Sequence, residues 1–342
     1  MTKTFGKYKM PAEWEPHEGT WLAWPHNTEH WPGKFEPIPF VYVEIVRALL
    51  EAEERVFIEV RDSEMQLQVG GFLNSEGIDP MRIDFFDIPN NASWVRDHGP
   101  IFVWNEKLTL TNWEFNCWGG KYPPWDLDNA VPHKIGAALD LPVVDGGMVL
   151  EGGAIDVNGK GTLLTTESCL LNQNRNPNLS KQDIEARLRD YLGATNVIWL
   201  PEGIEGDDTD GHIDDIARFV NPTTILCSVE PNPTSPNHQI LKRNFEILQA
   251  ARDQDGNALT IVEMPMPQPV IHEGEILPAS YANFYIANSA VLLPTFRCPE
   301  DEIMKEILEA YFPNRKIIGI DCVDLVWGLG TLHCSTQQQP LE

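Results

Sequence analysis

The sequence predicts an α/β protein in which five β-rich units, joined by helices, close into a ring. Three observations carry that prediction. A strand, a short polar loop and a two-strand hairpin recur along the chain, amphipathic stretches separate the copies, and the half-unit missing near one terminus is present near the other. The hairpin turns fall at Asn105, Asn158-Gly159, Asn221-Pro222 and Asn288-Ser289, at spacings of 53, 63 and 67 residues. Asn beside Gly, Pro or Ser between apolar runs is turn chemistry, because these residues accept the tight backbone a reversal needs.

The first copy is RIDFFDIP (82–89), the loop SWVRDHG, then PIFVW turning into LTLTNWEF. The second is LPVVDGG, then LEGGAIDV turning into GTLLTTESCL; the third is NVIWLPEG, the acidic GDDTDGHIDD, then IARFV turning into TTILCSV. The fourth is LTIVEMPMP, then SYANFYIA turning into AVLLPTF. A last strand, KIIGIDCVDLVW, leads into GLGTLHCST, and no second hairpin arm follows. Near the N-terminus the strand TWLAWP, the helix VYVEIVRALLEAEE and the strand RVFIEV supply the missing half.

Between copies, VPHKIGAALD, SKQDIEARLRDYLG, NHQILKRNFEILQAARD and PEDEIMKEILEAYF carry a 3.6-residue apolar period. Ser180, three residues before Asp183, is close to a capping box. A closed ring leaves no sheet edge to cover. A doubly wound sheet would alternate strand and helix one for one, which the hairpins break, and there is no G-x-G-x-x-G or Walker loop. One domain over 1–342 is expected.

Composition limits the partners. With 25 basic and 51 acidic residues among 342, the net charge is −26, which repels nucleic acid and anionic lipid and suits a cationic ligand. MTKTFGKYKMPAEW has no apolar core of signal-peptide length, and no uncharged apolar run approaches the roughly 18 residues a bilayer span needs. A cytoplasmic protein without a membrane partner is expected. The six cysteines are 52, 58, 71, 24 and 12 positions apart, a spacing that predicts free thiols.

In the repeat frame, unusual polar residues occupy equivalent places at the starts of hairpin strands: Asp97, Glu151, His212 with Asp214, and Cys334. Strand starts at one end of a ring converge on its axis. A thiol, an imidazole and three carboxylates thus meet around one cavity. Cys334 has polar neighbours, His333, Ser335, Thr336 and Gln337, whereas Cys117, Cys169, Cys227, Cys298 and Cys322 read as small buried apolar side chains. The run Asp207, Asp208, Asp210 reads as a solvated loop. His26 and His30 are four apart, but Pro25 and Asn27 argue against a helix, so no metal site is expected there.

The stretches MPAEWEPHEGTWLAWP, WVRDHGP, LEGGAIDVNGKGTLL, GDDTDGHIDDIARF and GLGTLHCSTQQQP resemble the agmatine deiminases, within the Porphyromonas-type peptidylarginine deiminases. The resemblance covers nearly the whole chain. It implies the pentein fold, a five-bladed α/β propeller of pseudo-fivefold ββαβ-type repeats, and hydrolysis of agmatine to N-carbamoylputrescine and ammonia on the way to putrescine and other polyamines, with no metal or organic cofactor. It implies Cys334 as nucleophile, His212 as general acid/base, Asp97 and Asp214 as the guanidinium-binding carboxylates and Glu151 as partner of the histidine. Trp94 and Asp208 fall near the amine end of the substrate. A homodimer or larger assembly also follows from the resemblance. The chain departs from the family pattern at Leu329 and Thr331, where glycines are frequent, and at Asp210, where Asn is frequent.

The chemistry is coherent on physical grounds. In-plane carboxylates hold a flat guanidinium by charge-assisted hydrogen bonds and leave its carbon face open to a thiolate. Crowded carboxylates raise a thiol pKa, so the nucleophile is expected to ionise only when a cationic substrate arrives. An acidic tail loop is expected to favour agmatine over arginine. Three alternatives stand beside this reading: a protein-arginine deiminase, a metal-dependent amidohydrolase using His212, Asp214, Asp97 and Glu151, and a non-catalytic polyamine-binding ring.

Overall fold

The computed structural model describes residues 7–342; the first six residues of the expected domain lie outside the described residues. Five sheets of three or four strands account for nearly all the β structure. Four are built alike. An antiparallel hairpin is followed by a helix that carries the chain back to a third strand, parallel to the second. The hairpins are Ile101–Asn105 with Lys107–Glu114, Asp156–Val157 with Thr162–Thr166, Ala217–Asn221 with Thr224–Val229, and Tyr285–Ile286 with Ala290–Thr295. Their parallel partners are Val143–Val149, Asn196–Leu200, Thr260–Pro265 and Lys316–Asp321. All four reversals fall at the predicted asparagines. Glu106, beside Asn105, takes the left-handed φ of 59° that so short a turn demands.

The fifth sheet joins both ends of the described chain. His17–Ala23 pairs antiparallel with Gln337–Pro340 on one side and parallel with Arg55–Val60 on the other, and Ile83–Asp87 adds a fourth strand. The expected half-unit exchange is therefore present as a strand pair between residues more than 300 positions apart, His17 facing Pro340.

Three details differ from the sequence reading. The leading strand of each copy pairs with the hairpin of the copy before it: LPVVDGG joins the sheet of PIFVW and LTLTNWEF. The sequence unit was cut across the covalent link between sheets, because hydrogen-bond partners cannot be read from spacing. The strand expected over KIIGIDCVDLVW ends at Asp321, and the chain then bends into a short 3-10 turn at Leu325–Gly328. An unforeseen helix, Ser63–Ser75, starts where Asp62 accepts a hydrogen bond from the Met65 amide; its weakly amphipathic sequence with two central glycines hid it.

The remaining long helices, Ile38–Glu51, Val131–Leu139, Lys181–Leu192, Asn237–Ala250 and Glu300–Tyr311, coincide with the apolar-periodic stretches. Lys181–Leu192 buries Ile184, Leu188 and Leu192, one face at a four-residue step, against the core that includes Leu163 and Ile155. Full burial of such side chains stabilises by about 2 kcal/mol each. The predicted cap is a full capping box: Ser180 Oγ accepts from the Asp183 amide at 3.2 Å and Asp183 Oδ2 accepts from the Ser180 amide at 2.9 Å. Among the described residues no helix is long and apolar enough to cross a membrane.

Candidate active site

Each of the five sheets is entered through a short turn, and these turns touch one another in sequence. Val95–His98 contacts Gly152–Ala154, which contacts Ile213–Asp215, which contacts Tyr281–Asn283. Asn283 then binds the segment before the last strand, accepting from Thr331 Oγ1 at 2.8 Å and from the His333 amide at 3.0 Å. The Arg96 amide donates to the Cys334 carbonyl at 3.2 Å and returns the circuit to its start. Backbone this tightly turned leaves side chains, not ladder hydrogen bonds, facing inward. Asp97, Glu151, His212, Asp214 and Cys334 all lie on this circuit, and all are buried.

Cys334 Sγ accepts from Asn283 Nδ2 at 3.1 Å and lies 3.7 Å from Asp214 Oδ2. His212 Nδ1 sits 3.7 Å from Asp97 Oδ1 and 4.0 Å from Asp214 Oδ1. Gly153 stands at the centre of these groups. A methyl group there would be 2.5 Å from His212 Nδ1, 2.8 Å from Asp97 Oδ1 and 3.0 Å from Asp214 Oδ2, so only glycine lets an imidazole and two carboxylates crowd against this backbone. Among the described residues, both ring nitrogens of His212, Asp214 Oδ1 and Glu151 Oε2 are buried without a hydrogen-bond partner. Such groups are costly unless something satisfies them, and a planar multi-donor cation is suited to do so.

The surrounding groups fix these side chains. Asp97 Oδ2 accepts from Trp118 Nε1 at 2.9 Å and Oδ1 accepts from the Gly153 amide at 3.0 Å. Asp214 Oδ2 lies 2.7 Å from His333 Nδ1; His333 Nε2 lies 2.8 Å from Glu13 Oε2, and Glu13 Oε1 lies 2.9 Å from Arg218. Glu151 Oε1 accepts from Arg175 Nε at 2.5 Å, and the same guanidinium holds Asp210 Oδ2 at 2.8 Å and the Thr209 carbonyl at 3.0 Å.

These contacts set the protonation pattern. Burial, then Asp214, Asp215 and Asp97, push the Cys334 thiol well above its ordinary value. Burial alone would depress His212, but Asp97, Cys169 and Asp214 outweigh it and raise the imidazole well above the usual histidine range. Burial would raise Asp214, yet His333 and His212 hold it below the normal carboxylate value. Asp97 is raised, mainly by burial.

Above this floor lies a cavity of about 220 Å³. Asp97 and Cys334 reach it from below, Trp94, Trp118 and Trp327 form apolar walls, and Asp208 stands at the rim. Glu151, His212 and Asp214 lie behind the lining. Trp94 is buried and stacks obliquely on Trp31 at 5.3 Å. The absence of a side chain at Gly330 matters here, since a methyl group would come within 3.2 Å of Cys334 Sγ and 2.9 Å of Trp94. Leu329 nonetheless takes a left-handed φ of 67°, and so does Asp210. These are the positions where the sequence departs from Gly and Asn, residues that adopt this conformation more easily.

All the residues expected at the site are brought to this one place, with Asp208 and Trp94 at its upper end. The solvated loop expected for Asp207, Asp208 and Asp210 is corrected: Asp207 Oδ1 and Oδ2 accept from the amides of Thr209 and His212, Asp208 pairs with Tyr122 and Lys121, and Asp210 pairs with Arg175. The partners are distant in sequence, so adjacency of the acids suggested solvent. Cys169, expected to be inert, lies beside His212 and Glu151, and those three offer donor atoms all within 4.8 Å of one another. Among the described residues this is the one such trio, and the Arg175 cation already bound to Glu151 opposes a metal ion there. Asn283, Arg175, His333 and Glu13 were missed. Asn283 was findable, because SYANFYIA places it where the other copies place Asp97, Glu151 and His212.

The sequence pattern of the Porphyromonas-type peptidyl-arginine deiminases matches residues 9–340. The chain belongs to that family. It is 37% identical to the agmatine deiminase of Pseudomonas syringae pv. tomato, covering 97% of this chain and 95% of that one. Among solved structures, the agmatine deiminase of Enterococcus faecalis superposes with a TM-score of 0.90 at 32% identity, over 99% of this chain and 98% of the other. A cysteine-to-serine variant of the C. jejuni agmatine deiminase with substrate bound gives 0.87 at 34%, over 97% and 96%. An amidinotransferase from Microseira wollei, at 12% identity, a TM-score of 0.52 and coverage of 97% and 96%, shares the α/β fold alone.

Proposed function

We propose that this chain is an agmatine deiminase, a thiol hydrolase that converts agmatine and water to N-carbamoylputrescine and ammonia within polyamine synthesis. The observation that carries the reading is that Cys334 and Asp97 face one cavity of about 220 Å³ with Asp214 and His212 directly behind them, Cys334 Sγ 3.7 Å from Asp214 Oδ2 and His212 Nδ1 3.7 Å from Asp97 Oδ1. The acidic floor and aromatic walls of that cavity suit a guanidinium on an aliphatic stem. The five turn-linked sheets are the blades of a closed propeller forming a single catalytic domain, and the axis of that propeller is the site. Six unpaired cysteines support a reducing, cytoplasmic setting.

Asp97 and Asp214 bind the guanidinium N–H groups in plane, which leaves the central carbon facing Cys334 Sγ. The incoming positive charge offsets the carboxylate field that keeps the thiol protonated, so the thiol proton leaves to solvent as substrate binds. The thiolate adds to carbon, forming the C–S bond. As the C–N bond breaks, the imidazolium of His212 gives its proton to the departing nitrogen and ammonia leaves, with an amidino-thioether on Cys334. Neutral His212, oriented by Glu151, then takes a proton from water and hydroxide adds to the same carbon; as the C–S bond breaks, the hydroxyl proton passes to the departing sulfur, which leaves the neutral urea product and the Cys334 thiol. Asn283 steadies the sulfur throughout.

Trp94 packs along the aliphatic stem and Asp208 pairs with the distal ammonium. The narrow aromatic-walled cavity favours a small free guanidine over a protein-borne arginine. A panel of agmatine, arginine and an arginine peptide, assayed for ammonia with wild type and Cys334→Ser, tests this. Agmatine turnover by wild type alone is the expected result, insensitive to chelators; turnover of the peptide alone overturns the substrate, and activity in Cys334→Ser overturns the mechanism.

A further inference from the structure

The rim of the site contains a cation of the protein's own. Lys121 Nζ lies 3.3 Å from Asp208 Oδ1 and 3.1 Å from Asp210 Oδ1, and it also donates to the Asp208 carbonyl. Asp208 lines the substrate cavity, but Lys121 does not. It comes from the far side, from a second cavity of about 620 Å³ that shares Tyr122 as a wall. One carboxylate is thus approachable by cations from two directions.

We infer that Lys121 is a specificity-determining residue whose ammonium occupies Asp208 in the empty site and is exchanged for the distal ammonium of a dicationic substrate. The inference rests on the agmatine reading. Three features make exchange the natural event. Asp210 cannot follow Lys121, because Arg175 holds it at 2.8 Å and Asn174 at 2.9 Å, so Lys121 keeps one partner when it gives up the other. Asp208 Oδ2 is fixed by the Tyr122 hydroxyl, which leaves Oδ1 as the oxygen the two cations share. Lys121 is also half-buried and has open volume beside it into which its flexible stem can move.

A ligand that brings a replacement ammonium leaves Asp208 neutralised. A guanidine with a neutral tail displaces nothing, and a tail carboxylate meets Lys121 as a partner, not Asp208 alone. The acidic loop therefore does not select by raw negative charge, since Lys121 and Arg175 already offset Asp208 and Asp210. It selects by competition.

The test uses the Cys334→Ser chain, which binds without turnover, and titrates it calorimetrically with agmatine, n-pentylguanidine and arginine, with and without Lys121→Met or Lys121→Gln. The expected result is that loss of the lysine charge raises the affinity ratio of agmatine to n-pentylguanidine roughly three- to fivefold, the upper scale of a partly exposed ion pair. Lys121→Arg should leave the ratio within about twofold, and in an Asp208→Asn background Lys121→Met should have no effect on it. A ratio that is unchanged or falls overturns the exchange. So does weaker arginine binding with agmatine unaffected, which would make Lys121 a carboxylate receptor. Agmatine turnover by the wild-type chain is measured separately: its absence overturns the agmatine reading while the ratio still decides Lys121, and failure of both guanidines to bind overturns both.

Discussion

The floor and the rim of this cavity are built on opposite principles. The floor residues Asp97, Glu151, His212 and Asp214 lie on short turns that open the sheets, are buried, and are gripped by groups that are themselves buried: Trp118, Arg175 and His333. The rim residues Lys121, Tyr122 and Asp208 are partly exposed and hold one another by ion pairs and a hydroxyl. A charge that must stay fixed during bond making belongs in the first setting, where the low dielectric keeps every contact strong. A charge that must be traded for a ligand belongs in the second. The proposed chemistry thus draws on the rigid part of the cavity and the proposed exchange on the exposed part.

Damage to the floor should fall on kcat and damage to the rim on KM. The largest effect belongs to Cys334→Ser: a loss of roughly ten-thousandfold or more in turnover with agmatine binding retained, read by ammonia release and calorimetry. Gly153→Ala comes next. Its methyl would stand 2.5 Å from His212 Nδ1, so kcat/KM should fall by about a hundredfold or more while the circular dichroism spectrum stays native. Arg175→Met would release Glu151 and Asp210 together; a kcat loss of about tenfold to a hundredfold with a shifted pH profile would sharpen the comparison, and a pure KM effect would break it. Asp208→Asn should raise KM for agmatine by about tenfold and leave n-pentylguanidine kinetics nearly unchanged.

Protonation offers the mildest test. Asp128 is raised to about 7, chiefly by burial, while its Oδ1 accepts from the amides of Asn91 and Ala92 in the segment that leads to Trp94 and Asp97. A carboxyl raised on folding contributes stability that is full below its unfolded value, near 4, and is lost as pH climbs through about 7. Asp128→Asn keeps the acceptor and removes the titration. It should raise Tm by a few degrees at pH 8, by less at pH 5 and scarcely at all at pH 4, as a pH series of thermal scans would report.

The legible parts of this molecule were those written locally. Turns at Asn158-Gly159 and Asn221-Pro222, the Ser180 cap and the period of Lys181–Leu192 depend on residues a few positions apart, and the structure has them where the pattern put them. The set Asp97, Glu151, His212, Asp214 and Cys334 was legible because a repeat converts sequence phase into spatial proximity. Arg175 and His333 were opaque for the converse reason. Neither sits in phase with the repeat as a lone chemical signal, and their meaning comes from Glu151 and Asp214, 24 and 119 positions away. The shift of each leading strand into the preceding sheet was equally hidden, since parallel pairing leaves no turn to mark it.

The strand pair His17–Ala23 with Gln337–Pro340 has a bearing on when this protein can act. Cys334 lies three residues before the strand that locks into place against His17–Ala23. During synthesis the sulfur would therefore emerge from the ribosome only after its acid and imidazole neighbours, and it would be seated only once the closing strand had followed it. The Cys334 thiol is in this way seated only after translation has passed residue 340, and a protease that clips off that strand would unseat it without touching the thiol itself.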